Sequence, residues 1–309
     1  NQSFHGTEHM QQRLGLLRSM NDSASDSPRE LGWNAWTQIN RDSMQSNAYD
    51  ATPSYENERD GFRVGADYYT NSNLQVGVFA GRDFNNMELS PENDLNSDST
   101  HLGVYSSYDY GQGVHLDAIV SVGTTDLEIS RTIDFSTISR NAKADVEAFQ
   151  FNAALCLGRD FEIGDFTFGP HAGIELSRVT IDRFAESGAD SLNLGLSRQT
   201  VQSLTSELGG HLSYRMQLDD KLTLVPEIRI SAISSIEDNG RTINASLEGG
   251  NGSSFDYVPA SRDRDGISTS IGINAISGKD WSASVYWNSN SIKRDGQSDS
   301  ISLSLNRKF

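Results

Sequence analysis

Apolar side chains recur at every second position over most of this chain, and that period constrains its fold more than any other feature. In the segment LQVGVFAG, residues 74–81, the first, third and fifth positions are Leu74, Val76 and Val78. Successive side chains of a β-strand point to opposite faces, so this pattern predicts strands. We count roughly twelve such segments after Leu31, and the sequence therefore predicts an all-β fold.

The lengths of the segments and of their connections point to a membrane barrel. Many segments exceed ten residues, and about twelve residues tilted by roughly 40° span a hydrocarbon layer. Short turns such as TNSN (70–73) alternate with long polar stretches such as MELSPENDLNSD (87–98), and aromatic pairs such as Tyr68 and Tyr69 lie near strand ends. We predict a 12-stranded antiparallel transmembrane β-barrel, with turns on one rim and long loops on the other. A soluble β-sandwich, which also alternates, is the alternative.

Composition excludes several classes of function. No run of 18 apolar residues is present, so the sequence predicts no transmembrane helix. The formal net charge of −17 argues against nucleic acid as a partner. Cys156 is the single cysteine, and no spacing of Cys and His indicates a zinc site. We expect no metal and no cofactor.

The first 30 residues follow a different period. Met10, Leu14, Leu17 and Met20 are spaced as one helical face, and the turn formers of NDSASDSP (21–28) end it. A helix over residues 7–20 would be about 21 Å long, which is comparable to the height of a membrane barrel. We divide the chain into residues 1–30, a linker and helix, and residues 31–309, the barrel.

The chain closes on the alternating segment ISLSLNRKF, residues 301–309. Its apolar residues Ile301, Leu303, Leu305 and the final Phe309 resemble the C-terminal signature of bacterial outer-membrane proteins, which the barrel-assembly machinery reads. We expect this strand to pair with the first one, near Trp33 to Ile39, and so to close the barrel.

Three features together narrow the resemblance. These are the helix ahead of the barrel, about twelve strands within some 280 residues, and the stretch SLTSELGGHLSY (203–214). Together they resemble the translocator domain of type Va autotransporters of Gram-negative bacteria. The resemblance implies that the helix lies in the barrel lumen and that a passenger domain precedes it. It further implies a monomer in outer-membrane lipid, assembled with periplasmic chaperones, with periplasmic termini and extracellular long loops.

The lumen is expected to bind the helix through charge. Arg13 and Arg18 on the helix would meet acids that alternate with apolar neighbours and so face inward: Asp117, Glu175, Glu207 and Glu227. Charges in a partly desolvated channel need partners. Alternatively, these acids pair with the lumenal arginines Arg63, Arg215 and Arg229.

A subset of the family cuts its own passenger free inside the barrel, where an asparagine side chain attacks its own backbone carbonyl with the help of lumenal acids. Asn1 could be the terminus that such a cut leaves, with Asp117, Glu175 and Glu227 as the acids. Gln2 follows Asn1, so the double asparagine of that subset is not recognisable. Alternatively, Asn1 is an arbitrary boundary that has no relation to a cleavage reaction.

Two other functions stay open from the sequence. A porin or uptake channel would need no N-terminal helix. A barrel enzyme would need an arrangement of nucleophile, base and acid, and four histidines lie within candidate strands: His101, His115, His171 and His211. No spacing singles out any of them.

Overall fold

The computed structural model of the chain describes residues 13–15, 32–46, 54–70, 73–89, 93–238, 243–247, 254–257, 265–278, 280–292 and 296–309. Twelve long strands dominate it: β1 (Trp33–Ser46), β2 (Tyr55–Tyr69), β3 (Leu74–Leu89), β4 (Asn93–Gly111), β5 (Val114–Phe135), β6 (Ile138–Arg159), β7 (Phe166–Ile181), β8 (Gln199–Tyr214), β9 (Leu222–Asp238), β10 (Gly266–Ser277), β11 (Trp281–Ile292) and β12 (Gly296–Lys308). Residues 13–15 are helical. In the described ranges, no helix is long and apolar enough to cross a membrane.

Each strand pairs antiparallel with its neighbours in the chain, and the ring is closed. β1 pairs with β12, which places Ile39 opposite Leu303, and β7 pairs with β8 over their full lengths. Closure satisfies the backbone hydrogen bonds of every long strand within the sheet, as a hydrocarbon environment requires. The predicted 12-stranded antiparallel barrel, including the pairing of its first and last strands, is confirmed.

Burial is inverted relative to a soluble sandwich. Asn288 and Asp67 are completely buried, whereas Val78 is 58% exposed and Ile301 is 55% exposed. The polar members of the alternation therefore face the lumen and the apolar members form the outer surface. Such a surface is stable only against lipid, because exposed apolar area of this extent aggregates in water.

The apolar band on the outer surface has two different edges. At the rim of the short connections, where β1 begins and β12 ends, aromatic rings contact one another: Trp33 and Tyr68 have centroids 5.0 Å apart, and Phe166 and Tyr214 4.7 Å. Tyr69 was expected there too, but it is 5% exposed and faces the lumen, since consecutive strand residues point to opposite sides.

Charged residues mark the other edge of the band. Arg41 lies 2.8 Å from Glu58, and Arg82 pairs with Asp98, all four on the outer surface. The strands continue beyond this edge, so the expectation of long loops was partly wrong. β5 and β6 run as 22-residue strands, and only Ser136 and Thr137 separate them. Paired strands remain stable outside lipid, because their backbone hydrogen bonds persist there and water solvates their polar side chains.

The remaining long connections build a small second sheet at this end. It comprises Phe184–Ala185, Leu194–Leu196, Ile243–Leu247 and Ser254–Tyr257. The buried carboxylate of Glu186 accepts two hydrogen bonds from Arg131, at 2.9 and 2.5 Å, and one from the backbone N–H of Leu194. These bonds fix the second sheet against the extension of β5.

Inside the barrel, several aromatic rings lie directly over glycines of the neighbouring strand. A Cβ atom at Gly65 would overlap the ring of Trp36, and one at Gly103 would overlap the ring of Phe79. The rings therefore lie flat against the wall in space that only glycine leaves free. This packing gives the lumen a rigid side, formed by β1 to β4.

Candidate functional site in the barrel lumen

Arg13 lies inside the barrel and is 6% exposed. Its Nη2 donates to a carboxylate oxygen of Asp67, and its Nη1 and Nη2 each lie 3.2 Å from Oδ1 of Asn306. The guanidinium also lies 4.5 Å from the centroid of the Trp36 ring. A planar, permanently charged group that is bound in this way by an acid, an amide and a ring face has a fixed position.

The partner carboxylate of Arg13 is fully buried and has a complete set of donors. Oδ1 of Asp67 accepts from Asn34 at 2.7 Å and from Gln75 at 2.6 Å, and Oδ2 accepts from the hydroxyl of Tyr105 at 2.6 Å as well as from Arg13. These residues come from β1, β2, β3 and β4. A buried ion pair is tolerated when further hydrogen bonds satisfy both ions, and this pair meets that condition.

The next residue, Leu14, is completely buried in the one apolar cluster that the lumen contains among the described residues. It packs with Trp36, Phe79 and Tyr105, whose rings lie over glycines, and with Ile119. Residues 13 and 14 thus bind the same side of the barrel, one by charge and one by apolar contact.

The acids that sequence analysis predicted to meet Arg13 lie elsewhere in the lumen. Asp117 accepts from Ser107 at 2.6 Å, Glu207 contacts His171 at 3.1 Å, and Glu227 lies 3.5 Å from Arg229 and accepts from Tyr286 at 3.0 Å. Glu175 is buried on β7. The ion pair of Arg13 is formed with Asp67, which sequence analysis did not single out; its register on one face of β2 with Arg63 and Arg59 was the available signal.

The alternative pairing of the lumenal arginines is seen in part. Arg229 contacts Glu227, as that alternative expected. Arg63 instead lies 3.3 Å from Asp83, which is not one of the four predicted acids. Arg59 lies 2.7 Å from Asp42 in the same charged region. Arg18 and Asn1 lie outside the described residues.

A cavity of about 50 Å³ lies beside the helical residues at the rim of the short connections. Gly15, Asp117, Cys156, Arg215 and Glu227 line it, together with His115, Asp160, His171 and His211. Asp160 lies 3.6 Å from His115 and 3.4 Å from His211. Within the described ranges, no group of three or more His, Cys, Asp or Glu residues has the geometry to hold a metal ion.

His171 does not form a catalytic triad with Ser231 and Glu207. Nε2 of His171 lies 2.9 Å from Oγ of Ser231 and 3.1 Å from Glu207, so the nucleophile and the acid would share one ring nitrogen. A triad requires the acid on the opposite nitrogen, where it orients the ring. This arrangement gives no support to a barrel enzyme.

Comparison with protein families finds one match. The model of the autotransporter β-domain matches residues 35–288, which is most of the chain. Comparison with curated proteins finds no match.

Several solved structures share the fold. The translocator domain of the autotransporter NalP from Neisseria meningitidis is similar with a TM-score of 0.72 at 16% identity, over 99% of this chain and 98% of that one. The β-domain of the Bordetella autotransporter BrkA has a TM-score of 0.68 at 17% identity, over 91% of this chain and all of that one. The transport unit of AIDA-I from Escherichia coli has a TM-score of 0.53 at 10% identity, over 92% of each chain. At these identities the likeness establishes the fold alone.

Proposed function

Since the chain belongs to the autotransporter β-domain family, we infer that it is an outer-membrane barrel that anchors and helps to secrete a linked passenger domain. The family is one of translocator barrels and not of enzymes. The observation that carries the finer proposal is Arg13, which stands in the lumen before the first strand and is bound to Asp67. We propose that the segment around Arg13 plugs the barrel once the passenger has crossed.

The two edges of the apolar band support a proposal for the orientation of the barrel in the membrane. Both β1 and β12 have their chain-terminal ends at the aromatic rim, and the strands extend beyond the opposite, charged rim. We propose that the aromatic rim faces the periplasm and the extended strands face outside. The second sheet then lies on the cell surface, and the passenger leaves the lumen beside it.

The translocator function is tested by fusing a tagged reporter polypeptide upstream of residue 1. In intact cells the tag should become accessible to added protease while the barrel migrates as a folded, heat-modifiable protein. A barrel that assembles but leaves its tag protected in every cell would contradict the proposal. Deletion of the reporter is the control for background proteolysis.

The last strand is the proposed contact with the assembly machinery and periplasmic chaperones. Ile301, Leu303 and Leu305 face outward, and the backbone N–H of Phe309 bonds to the carbonyl of Trp33 at 2.8 Å. Arg307 departs from the apolar series, and its guanidinium stacks over the rings of Phe309 and Trp281 at 4.8 and 5.0 Å. A charge is therefore accommodated at this rim by cation–π contact.

Deletion of Phe309 should reduce the fraction of chains that assemble, since the exposed ring is available for recognition, and should change the unfolding of assembled barrels little. Pulse-chase measurement of heat-modifiable protein gives the first quantity, and urea unfolding of purified barrels gives the second. Arg307→Lys, which keeps the charge, is the matched control. Equal losses in assembly rate and in stability would contradict a recognition role.

Self-cleavage of the passenger is a second candidate. Asp117 and Glu227 line the same cavity as Gly15, so two of the proposed acids lie beside the chain that leads from the passenger. Glu175, the third proposed acid, lies on β7. Asn1 is the proposed new terminus, so the residue before it would be the one whose side chain attacks its own backbone carbonyl. Mass spectrometry of barrels expressed with an upstream reporter that ends in asparagine should then give an amino terminus at Asn1, and Glu227→Gln should retard its appearance; a terminus elsewhere would exclude this route.

A further inference from the structure

The inward-facing residues of β10, β11 and β12 form one wall of the lumen with a distinct chemistry, which we call the serine–asparagine wall. β12 alone presents Ser298, Ser300, Ser302 and Ser304 in succession, and Asn306 follows. From residue 268 to residue 306, no inward-facing side chain of these strands is charged. The neighbouring wall, formed by β1 to β3, contains the buried pairs of Arg59 and Arg63 with Asp42 and Asp83.

This wall contains buried polar atoms that no described residue satisfies. Asn290 is 2% exposed, and neither polar atom of its amide has a hydrogen-bond partner. Oδ1 of Asn274, a residue that is 1% exposed, also has none. Buried amides are nearly always paired, so unpaired ones in a lumen are available to bind water or a polar chain that passes them.

The spacing of the wall suits a polypeptide backbone. Serine and asparagine both donate and accept hydrogen bonds, and inward-facing residues of a strand recur about every 6.6 Å. Backbone groups on one side of an extended chain recur at the same interval. Because the wall has no charge, such binding would not depend on the side chains of the passing segment, whereas the charged wall of β1 to β3 would select among them.

The chain upstream of the barrel meets this wall. Arg13 bonds to Asn306, at the aromatic end of β12, with two nitrogens at 3.2 Å. The segment that precedes β1 therefore contacts the serine–asparagine wall at Asn306. We propose that this wall is the track along which the passenger polypeptide crosses the lumen in extended form, its backbone hydrogen-bonded to the serine and asparagine side chains. This inference rests on the translocator function proposed above.

Site-specific photo-cross-linking tests the track. The chain carries a tagged reporter upstream of residue 1 that is halted in transit by an engineered disulfide loop, and one photoreactive residue replaces either Ser302 or Asn288. Matched positions on other strands are Gln150 and Ser177, both of which face the lumen. We expect the reporter to cross-link to positions 302 and 288 in clear excess over positions 150 and 177. Equal yields from all four positions, with the reporter of the unmodified chain displayed normally, would overturn the track and leave the translocator function intact.

A hydroxyl deletion provides the functional readout. The variant Ser298→Ala, Ser300→Ala, Ser302→Ala, Ser304→Ala should slow reporter display by roughly threefold to tenfold, because several weak hydrogen bonds are lost together. The control removes four buried hydroxyls elsewhere in the lumen, in Ser97→Ala, Ser99→Ala, Ser177→Ala, Ser203→Ala, and should leave the display rate unchanged. Heat-modifiable migration confirms that both barrels fold. Equal display rates for the two variants would overturn the track; failure of the unmodified chain to display its reporter would instead overturn the function on which it rests.

Discussion

Arg13→Met should open the barrel to ions. The substitution keeps the apolar stem but leaves Asp67, which has no exposed surface, without its cation. Breaking a buried ion pair from one side costs about 3–5 kcal/mol. We expect the plug segment to leave its site and single-channel conductance in planar bilayers to rise. A second readout is the yield of a short bifunctional thiol cross-link between Gly15→Cys and Cys156, which line one cavity, and this yield should fall.

Two comparisons make this prediction specific to the buried pair. Arg13→Met with Asp67→Asn removes both charges and should recover part of the lost cross-link, since no lone charge then stays buried. Arg41→Met removes an arginine from an ion pair whose side chains are 64% exposed, and exposed pairs contribute only about 0–1 kcal/mol. Unchanged conductance and cross-linking in Arg13→Met would mean that the segment is held in the lumen by something else.

Gly103→Ala should destabilise the folded barrel by about 1–3 kcal/mol, because the new methyl group would overlap the ring of Phe79. The ring is 7% exposed and belongs to the cluster that holds Leu14, so it has little room to move. Urea unfolding of the barrel in lipid vesicles measures the change. The same substitution in a Phe79→Ala background should cost less, since the overlapping ring is gone and only the 2.9 Å approach to the carbonyl oxygen of Val120 stays.

Gly210→Ala is the matched control for this prediction. A Cβ atom there would come no nearer than 3.4 Å to another atom, the carbonyl oxygen of Gly169, which is an ordinary contact. We expect a change of less than about 0.5 kcal/mol. If Gly103→Ala and Gly210→Ala had equal effects, the loss would come from strand propensity and not from the ring.

The strands could be predicted from the sequence because the alternation that identifies them is a local property of the chain. The period of two depends only on the geometry of successive residues, so Val76 and Val78 identify an outward face without knowledge of the neighbouring strand. The same holds for the last strand, whose alternation of Ile301, Leu303 and Leu305 identified the partner of β1. The ends of the strands were less predictable, because polar strands continue past the membrane edge without an apolar pattern, as β5 and β6 do.

The partner of Arg13 was not predictable in the same way. Four inward-facing acids were candidates on equal terms, since the pattern reports that a residue faces the lumen and not its height or its position around the ring. Asp67 was left out of the expected set although it alternates like the others. The donors that make its buried charge tolerable, Asn34, Gln75 and Tyr105, are on three other strands and give no sign of a common site in the sequence.

The sequence by itself therefore determined the class of fold, the two faces of the barrel wall and the residues available to each face, because side-chain alternation is a property of single strands. Only the tertiary structure decided which lumenal residues meet. Strand tilt and register set the heights at which β1 to β4 and β12 present their side chains, and ring closure brings Asn306 beside residues near the start of the barrel. The buried site of Arg13 exists because those heights coincide.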